Sequence, residues 1–589
     1  MDRLVKVGLA AGAVTIFLAL VGLVERFTDL ALVGEQVTFS RLLLVLPPFA
    51  AGFVVGSPRV ERGEQRLVTP VEALSGGAIA GAVAGALLGI AAVLVDGFGV
   101  DRVRAVFIAT TEGLIDFVTF GLGPVPGALV LAAVSALAGA IGGTMHVLPV
   151  QFRKPVVTAV SAILLLGFLQ RIVPVALAEL GLARDWLYQR SGGLTWFGAV
   201  VVGAVAVGAS ISRPRAGDAI RTRFGLGRGD NGPDRGRNGG MEVGRLLVFL
   251  AVAVVLLAAP QLLGATISEV LGRVAVFVLL GLGLNIVVGY AGLLDLGYVA
   301  FFAFGAYATG VLTGGNLNTF QGITPPVVSA DLNFYVAIPV VVALAALVGL
   351  LIGAPVLRLR GDYLALVTLG LGEMVTVLVA SPWLTPLVGG PSGMRDVTDA
   401  AIGNVSFRDP QTFYYLALAF VALALFISRR LYGSRIGRAW TAMREDEQTA
   451  DAMGISITSY KLLAFAMGGA IGSLGGALFA VRIGSLTPAS FEVAVSILVL
   501  GVVIVGGLGS LPGVVIGALV LVGLPGVLRE FEEYQQLAYG AALVVVMVLR
   551  PQGLVPNVRR SRELQEEERA QDAWGQEKEE EAAVEKAAT

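Results

Sequence analysis

Residues 275–312 read AVFVLLGLGLNIVVGYAGLLDLGYVAFFAFGAYATGVL, and these 38 residues carry a single charge, Asp295. A membrane crossing needs about 20 apolar residues to cover ~30 Å of hydrocarbon. The run therefore reads as two spans, 270–289 and 291–313, that meet near Tyr290. Gly281, Gly283, Gly289, Gly292, Gly297 and Gly305 permit close packing and a local break in the helices of this run. Asn285 and Asp295 are the polar groups set beside that break. The rest of the chain has the same character: 56% of its 589 residues are apolar, 14% are charged, and the mean hydropathy is +0.81. An ordinary soluble domain carries roughly 25% charged residues. Disorder, collagen and a plain soluble enzyme are excluded; the fold expected is an all-α, polytopic transmembrane helical bundle.

Outward from that run, further apolar stretches lie near 245–264, 334–357, 364–380, 413–429, 461–481, 493–507, 512–528 and 535–549. Others precede them near 4–24, 41–57, 71–95, 122–146, 155–181 and 194–212. The total is about sixteen spans, about six before and about ten after a polar interruption. The first run lacks a small-residue cleavage site before Glu25 and Arg26 and reads as a retained span. The interruption, 213–244, is rich in Gly, Asp, Asn, Pro and Arg and reads as a flexible basic linker. It separates an N-terminal membrane module, 1–212, of unknown role from a second module, 245–557; an acidic tail, 558–589, follows. Alternating the spans from a cytoplasmic N-terminus puts Arg3, Lys6, Arg59, Arg153, Arg213, Arg358, the 429–461 loop and the tail on one side. Basic loops collect in the cytoplasm, so both termini are expected there, in the cell membrane.

Glycine is abundant, with 78 residues. The run GGAIAGAVAGALLG at 76–89 is suited to tight helix packing. There is no cysteine and one histidine, His146, so no zinc site is expected, and His146 reads as a packed or interfacial residue. A net charge of −1 gives no reason to expect nucleic acid as a partner. The phosphate-binding loop G-x-x-x-x-G-K-[ST], the G-x-S-x-G elbow and H-E-x-x-H are all absent. No enzyme activity and no cofactor is expected in this chain. Polar groups in or near spans are few: Asn285, Asp295, Glu373 and Arg482, with Glu269, Arg273 and Asp362 near span ends. Ionisable groups at membrane depth are costly and are functional candidates, Glu373 the deepest carboxylate among them.

One loop is too long for a turn and too polar to span: RRLYGSRIGRAWTAMREDEQTADAMGISITSYK at 429–461. A helix is expected from Ile436 to Met453, stopped by Gly454, with Ser456, Thr458 or Ser459 capping the next. Trp440, Met443 and Ala450 are expected to make an apolar contact with a partner or with headgroups. A short charged helix held between two spans has a shape suited to passing force into the membrane.

This loop resembles the coupling loop of ABC importer permeases. REDEQTADAMGIS, followed by SYKLLAFAMGGAIGSLGGALFA, is similar to the LivM-type permease of branched-chain amino-acid importers. So, in family order, are 281–310, RLRGDYLALVTLGLGE at 358–373, GGPSGM at 389–394, VIVGGLGSLPGVVIGA at 503–518, LREFEEYQQLAYGA at 528–541 and RPQGLVP at 550–556. The resemblance makes 245–557 the permease domain and leaves 1–212 unaccounted for. It implies a LivH-like second permease, two ABC ATPase subunits that bind the ATP, an external solute-binding protein, lipid around the spans and a prokaryotic host. The implied ATPase-coupling residues are Arg444, Glu445, Asp446, Glu447, Ala450, Asp451 and Gly454. The family's Glu-Ala-Ala positions read Gln448, Thr449 and Ala450 here, with Glu447 one place early. Helix-break or path candidates are Asn285, Gly289, Gly292, Asp295, Gly297, Glu373, Gly507 and Pro512. The implied solute is leucine, isoleucine, valine or another hydrophobic amino acid. The alternative is a secondary transporter or channel that works without ATPase subunits.

Overall fold

The computed structural model describes residues 2–223, 238–314, 332–356, 362–527 and 535–556, apart from positions 58, 62–63, 67–68, 106, 108, 171–172, 180, 182–184, 190–191, 396, 404 and 551. The acidic tail, Arg358, Arg360 and the middle of the expected linker lie outside the described residues. The described residues are mostly helical, with three small two-stranded hairpins among them, and the chain divides into two compact units, Met1–Ala253 and Val254–Thr589. Apart from the start of the 291–313 run, the described residues of the apolar stretches singled out above are mostly helical. Among the described residues, ten helices are long and apolar enough to cross a membrane, and four shorter apolar helices of 10–17 residues accompany them. This is a multi-pass membrane protein.

In the first unit, α1 (Asp2–Leu20), α2 (Phe39–Gly56), α3 (Pro70–Phe98) and α4 (Pro124–Thr144) pack together. α3 begins with a reciprocal cap: the Glu72 N–H donates to the Thr69 hydroxyl (3.3 Å) and the Thr69 N–H to the Glu72 carboxylate (3.2 Å). From there small residues recur every fourth position, Ala73, Gly77, Gly81 and Gly85 on α3 against Ser135, Gly139 and Gly143 on α4. Residues four apart share a helix face, so both helices present a strip without side chains. At Gly139 the backbone of Gly77 and Gly81 on α3 occupies the space a Cβ would need, and Gly52 of α2 meets the same Gly139 carbonyl from its other flank. α5 (Val150–Phe168) and α6 (Trp196–Arg223) pair beside a hairpin at 31–38, whose Leu32 is fully buried with Leu194. His146 packs its ring 4.2 Å from that of Phe53.

The linker is shorter than expected. α6 runs on through Arg223 and α7 (Asn238–Leu284) starts at Asn238, so 213–223 and 238–244 are helical. In 213–223 arginine and alanine are good helix formers and extend a helix that the membrane has already nucleated.

In the second unit α7 bends at Gly264 and continues into a π-turn, Asn285–Tyr290. After an irregular segment, 291–298, come α8 (Val299–Leu312), α9 (Phe334–Val356), α10 (Asp362–Ala380), α11 (Pro410–Gly433), α12 (Arg435–Glu445), α13 (Glu447–Ala452) and α14 (Ile457–Ile483). α15 (Val493–Gly506), α16 (Leu511–Ala518) and α17 (Gln535–Leu549) complete it. α14 is the hub, buried along most of its length between α8 and α9. Its Gly476 lies against the Phe302 carbonyl of α8, and Gly349 of α9 lies against the Phe465 carbonyl of α14. At the end of α14, the GGPSGM segment docks by an exchange of backbone hydrogen bonds between Met394 and Leu486, at 2.8 and 2.7 Å.

Candidate functional site

The 429–461 loop folds as two short helices, and this corrects the single helix expected over 436–453. Asp446 is extended (φ −153°, ψ 111°), and its carboxylate accepts the N–H groups of Gln448 (2.8 Å) and Thr449 (3.0 Å) and the Thr449 hydroxyl (3.0 Å). Those bonds start a new helix and compete with continuation of the old one. They also hold the Asp446 carboxyl below the usual carboxylate range, the Thr449 N–H contributing most. α12 starts in the same way on Ser434, whose hydroxyl accepts from Ile436 (3.1 Å) and Gly437 (3.3 Å). Gly454 ends α13 with φ +85°, as expected, and the Ile455 N–H returns to the Ala450 carbonyl at 3.0 Å.

Trp440, Met443 and Ala450 turn inward, against the expectation of an outward apolar contact. Trp440 is fully buried and its indole N–H donates to the Tyr460 carbonyl at 2.8 Å. Burying so large a ring in the chain's own core outweighs an exposed contact, and the indole proton still finds an acceptor. Beside it Lys461, buried at the start of α14, pairs with Glu447 at 2.5 Å. Tryptophan and lysine together fasten the two short helices to α14. Glu445, Gln448, Thr449, Asp451 and Met453 are left exposed.

The same two helices reach the broken span. Arg444 donates to the Gly289 carbonyl at 2.6 Å. The last carbonyls of a helix lack internal partners and carry partial negative charge, so a guanidinium is favoured there. Gly292, with φ +73°, lies under the Arg444 side chain, which fills the place of a Cβ. Asn285, fully buried on the π-turn, accepts the Gly509 N–H at 2.9 Å. Gly509 belongs to the second break, where Gly507 and Gly509 interrupt the path from α15 to α16. Pro512 does not cause that break. It sits in the first turn of α16, where its missing N–H costs nothing, and the Ser510 hydroxyl caps the helix by accepting from Gly513 at 3.2 Å. The RPQGLVP segment folds back over the end of α15: Leu554 donates to the Val505 carbonyl (2.8 Å) and Val555 to that of Gly506 (2.9 Å).

The irregular segment 291–298 is pinned along its length. Asp295 is buried and accepts the Gly297 N–H at 2.9 Å. Leu296 donates to the Thr368 hydroxyl of α10 (3.0 Å), Val299 to the Ser496 hydroxyl of α15 (2.8 Å), and the Tyr298 hydroxyl to the Gly468 carbonyl of α14 (2.7 Å). Gly297 packs against the Thr368 carbonyl. Glu373 stands apart: it is exposed in the middle of α10, an unbroken helix, and Asp295 is the buried carboxylate of the pair. Asn285, Gly289, Gly292, Asp295, Gly297 and Gly507 thus gather at one end of the unit with Arg444 and its neighbours. Tyr460, Lys461 and Gly509 join them unannounced by the sequence, and Trp440 joins them facing inward. The one available sign was the family order of seven segments, five of which contribute to this end.

Residues 266–549 match the family of branched-chain amino acid transport system permease components. The first unit lies outside that match. The high-affinity branched-chain amino acid transport system permease proteins LivM of Salmonella typhimurium and Escherichia coli are each 37% identical over 343 residues, covering 54% of this chain and 77% of theirs. The ribose import permease protein RbsC of Haemophilus influenzae is 25% identical over 52% of this chain and 94% of its own. No solved structure matches.

Proposed function

The chain belongs to the branched-chain amino acid transport permease family, and from that premise we propose that it is one of two membrane subunits of an ABC importer. A LivH-like permease completes the pore, two ATPase subunits dock on α12 and α13, and an external binding protein delivers the solute. ATP is bound by those partners and not by this chain. The names of the LivM relatives support leucine, isoleucine and valine as cargo. The side on which basic clusters gather supports cytoplasmic termini, and the helical apolar stretches support about sixteen crossings. The organisms of the relatives support a prokaryotic host. Residues 1–212 act as an accessory membrane module whose glycine packing favours a structural role.

The observation that carries this reading is the bond from Arg444 to the Gly289 carbonyl. An ATPase that shifts α12 and α13 moves α14 with them through Trp440 and Lys461. In the same stroke it pulls on the π-turn through Arg444. Segment 291–298 and α8 move in turn, and the bundle passes between two packings whose balance the ATPases bias. Because Glu447 is held by Lys461, the contact with the ATPase falls to the exposed Glu445 and Asp451.

The test is purification with partners from the native membrane, then leucine uptake by the assembled complex. Arg444→Ala removes a charge-assisted hydrogen bond worth about 1.5–3 kcal/mol, which corresponds to a roughly tenfold to hundredfold loss of uptake, while ATP hydrolysis continues. Full uptake by an assembled Arg444→Ala complex would sink this coupling route. A homo-oligomer that carries leucine down a gradient with no ATPase would replace the importer by a secondary transporter.

A further inference from the structure

A cavity of about 270 Å³ opens at the end of the second unit opposite α12 and α13, and runs inward to Phe302. Its mouth holds three charges: Glu269 and Arg273, one turn apart on α7, and Arg482 at the end of α14. Arg482 pairs with Glu269, donates to the Arg408 carbonyl at 3.3 Å and lies 5.8 Å over the Phe413 ring. Arg273 has no carboxylate partner among the described residues, and the described lining carries one guanidinium in excess. Deeper, the wall becomes aromatic, with Phe302 and Phe479 at 5.1 Å between ring centres.

We propose that this cavity is a station for the transported solute, holding a zwitterionic amino acid with an apolar side chain. The chemistry of the lining selects that class. A surplus guanidinium takes the carboxylate, the Glu269 carboxylate accepts from the ammonium, and the phenylalanines cover the hydrocarbon side chain. A sugar finds neutral partners in Ser490, Gln535 and Tyr539 but brings no opposite charge to Arg273 or Glu269. A simple anion meets Glu269 and leaves the wall unused. A free fatty chain leaves Glu269 and Arg273 without a purpose at the mouth. The position fits a transport step as well. Phe302 lies one turn into α8, the helix that starts where the pinned segment 291–298 ends, so a pull on that segment moves the inner wall of the cavity. Occupancy and the coupling end are then linked through a single short helix.

The inference rests on the importer reading, and the experiment separates the two. Leucine uptake is measured with the assembled complex in proteoliposomes, and binding of radiolabelled leucine with the detergent-solubilised complex without its binding protein. Arg273→Gln at the exposed mouth weakens leucine binding about tenfold, the loss of one charge-assisted bond, and Arg273→Lys restores part of it. Isoamylamine, which has no carboxylate, binds wild type and Arg273→Gln alike. If the wild-type complex carries leucine and Arg273→Gln changes neither binding nor uptake, the cavity is not a solute station and the importer reading stands. If the wild-type complex carries no amino acid, both fall. Phospholipid retained in the cavity of a leucine-transporting complex would also overturn the station, since the site would then be filled by lipid.

Discussion

Both units are glycine-rich and apolar and both press helices together at glycines, yet the second also uses glycines to break its spans. In the first, Gly52, Gly77, Gly81, Gly139 and Gly143 lie inside straight helices and let α2, α3 and α4 touch backbone to backbone. In the second, Gly289, Gly292, Gly507 and Gly509 lie where helices give way to a π-turn or a loop, and side chains from elsewhere take up the freed groups. Close backbone contact has one good geometry and resists change. A helix break held by hydrogen bonds can exchange one set of partners for another. On the proposed coupling route, the contrast is that of a scaffold and a moving part.

The sharpest way to break that contrast is Gly139→Leu. A side chain there meets the backbone of Gly77 and Gly81 on α3, which cannot yield. Overpacking at the upper end of its range, about 3 kcal/mol or more, is expected, read as a fall in the melting temperature of the purified chain. A variant as stable as wild type would show that the first unit is not held by backbone contact. A middle-sized effect should come from Glu447→Ala, which leaves the buried Lys461 ammonium without its carboxylate. Glu447 is 38% exposed, so the cost is discounted to about 1–3 kcal/mol, and adding Lys461→Met should recover most of it. No recovery in the double variant would mean that the pair does not fasten α13 to α14. The smallest effect belongs to Gly370→Ala. This glycine lies in the middle of α10 with open space where a Cβ would go. Alanine should leave the chain unchanged or raise its stability by up to ~1 kcal/mol, and a clear loss would reveal a packing role on α10.

The helices were legible from hydropathy because a bilayer imposes length and apolarity on each crossing, and the break at 289–292 was legible from its glycines. The glycine run at 76–89 likewise announced close packing. The division of the coupling loop at Asp446 was not, since REDEQTADA consists of residues that a helix tolerates well. What ends α12 is a local competition, in which one carboxylate takes two backbone protons. The inward turn of Trp440 was hidden for a different reason: a lone tryptophan on a charged helix faces whichever surface tertiary packing provides. Lys461 and Glu447 are too far apart in sequence for helical spacing to link them, and only the turn at Gly454 brings them together. The bond between Arg444 and Gly289 crosses more than a hundred residues, and no local pattern encodes it. Pro512 misled in an instructive way, because a proline beside glycines reads as a break when in fact it opens the first turn of α16.

The fold-back of Leu554 and Val555 onto the end of α15 bears on how the protein is made. A ribosome delivers residues 505–506 to the membrane well before residues 554–555, so the two carbonyls stay open until nearly the whole permease has been synthesised. The end that Arg444 joins is thus closed by one of its last-made pieces, and a chain cut short before Leu554 leaves the Val505 and Gly506 carbonyls uncapped.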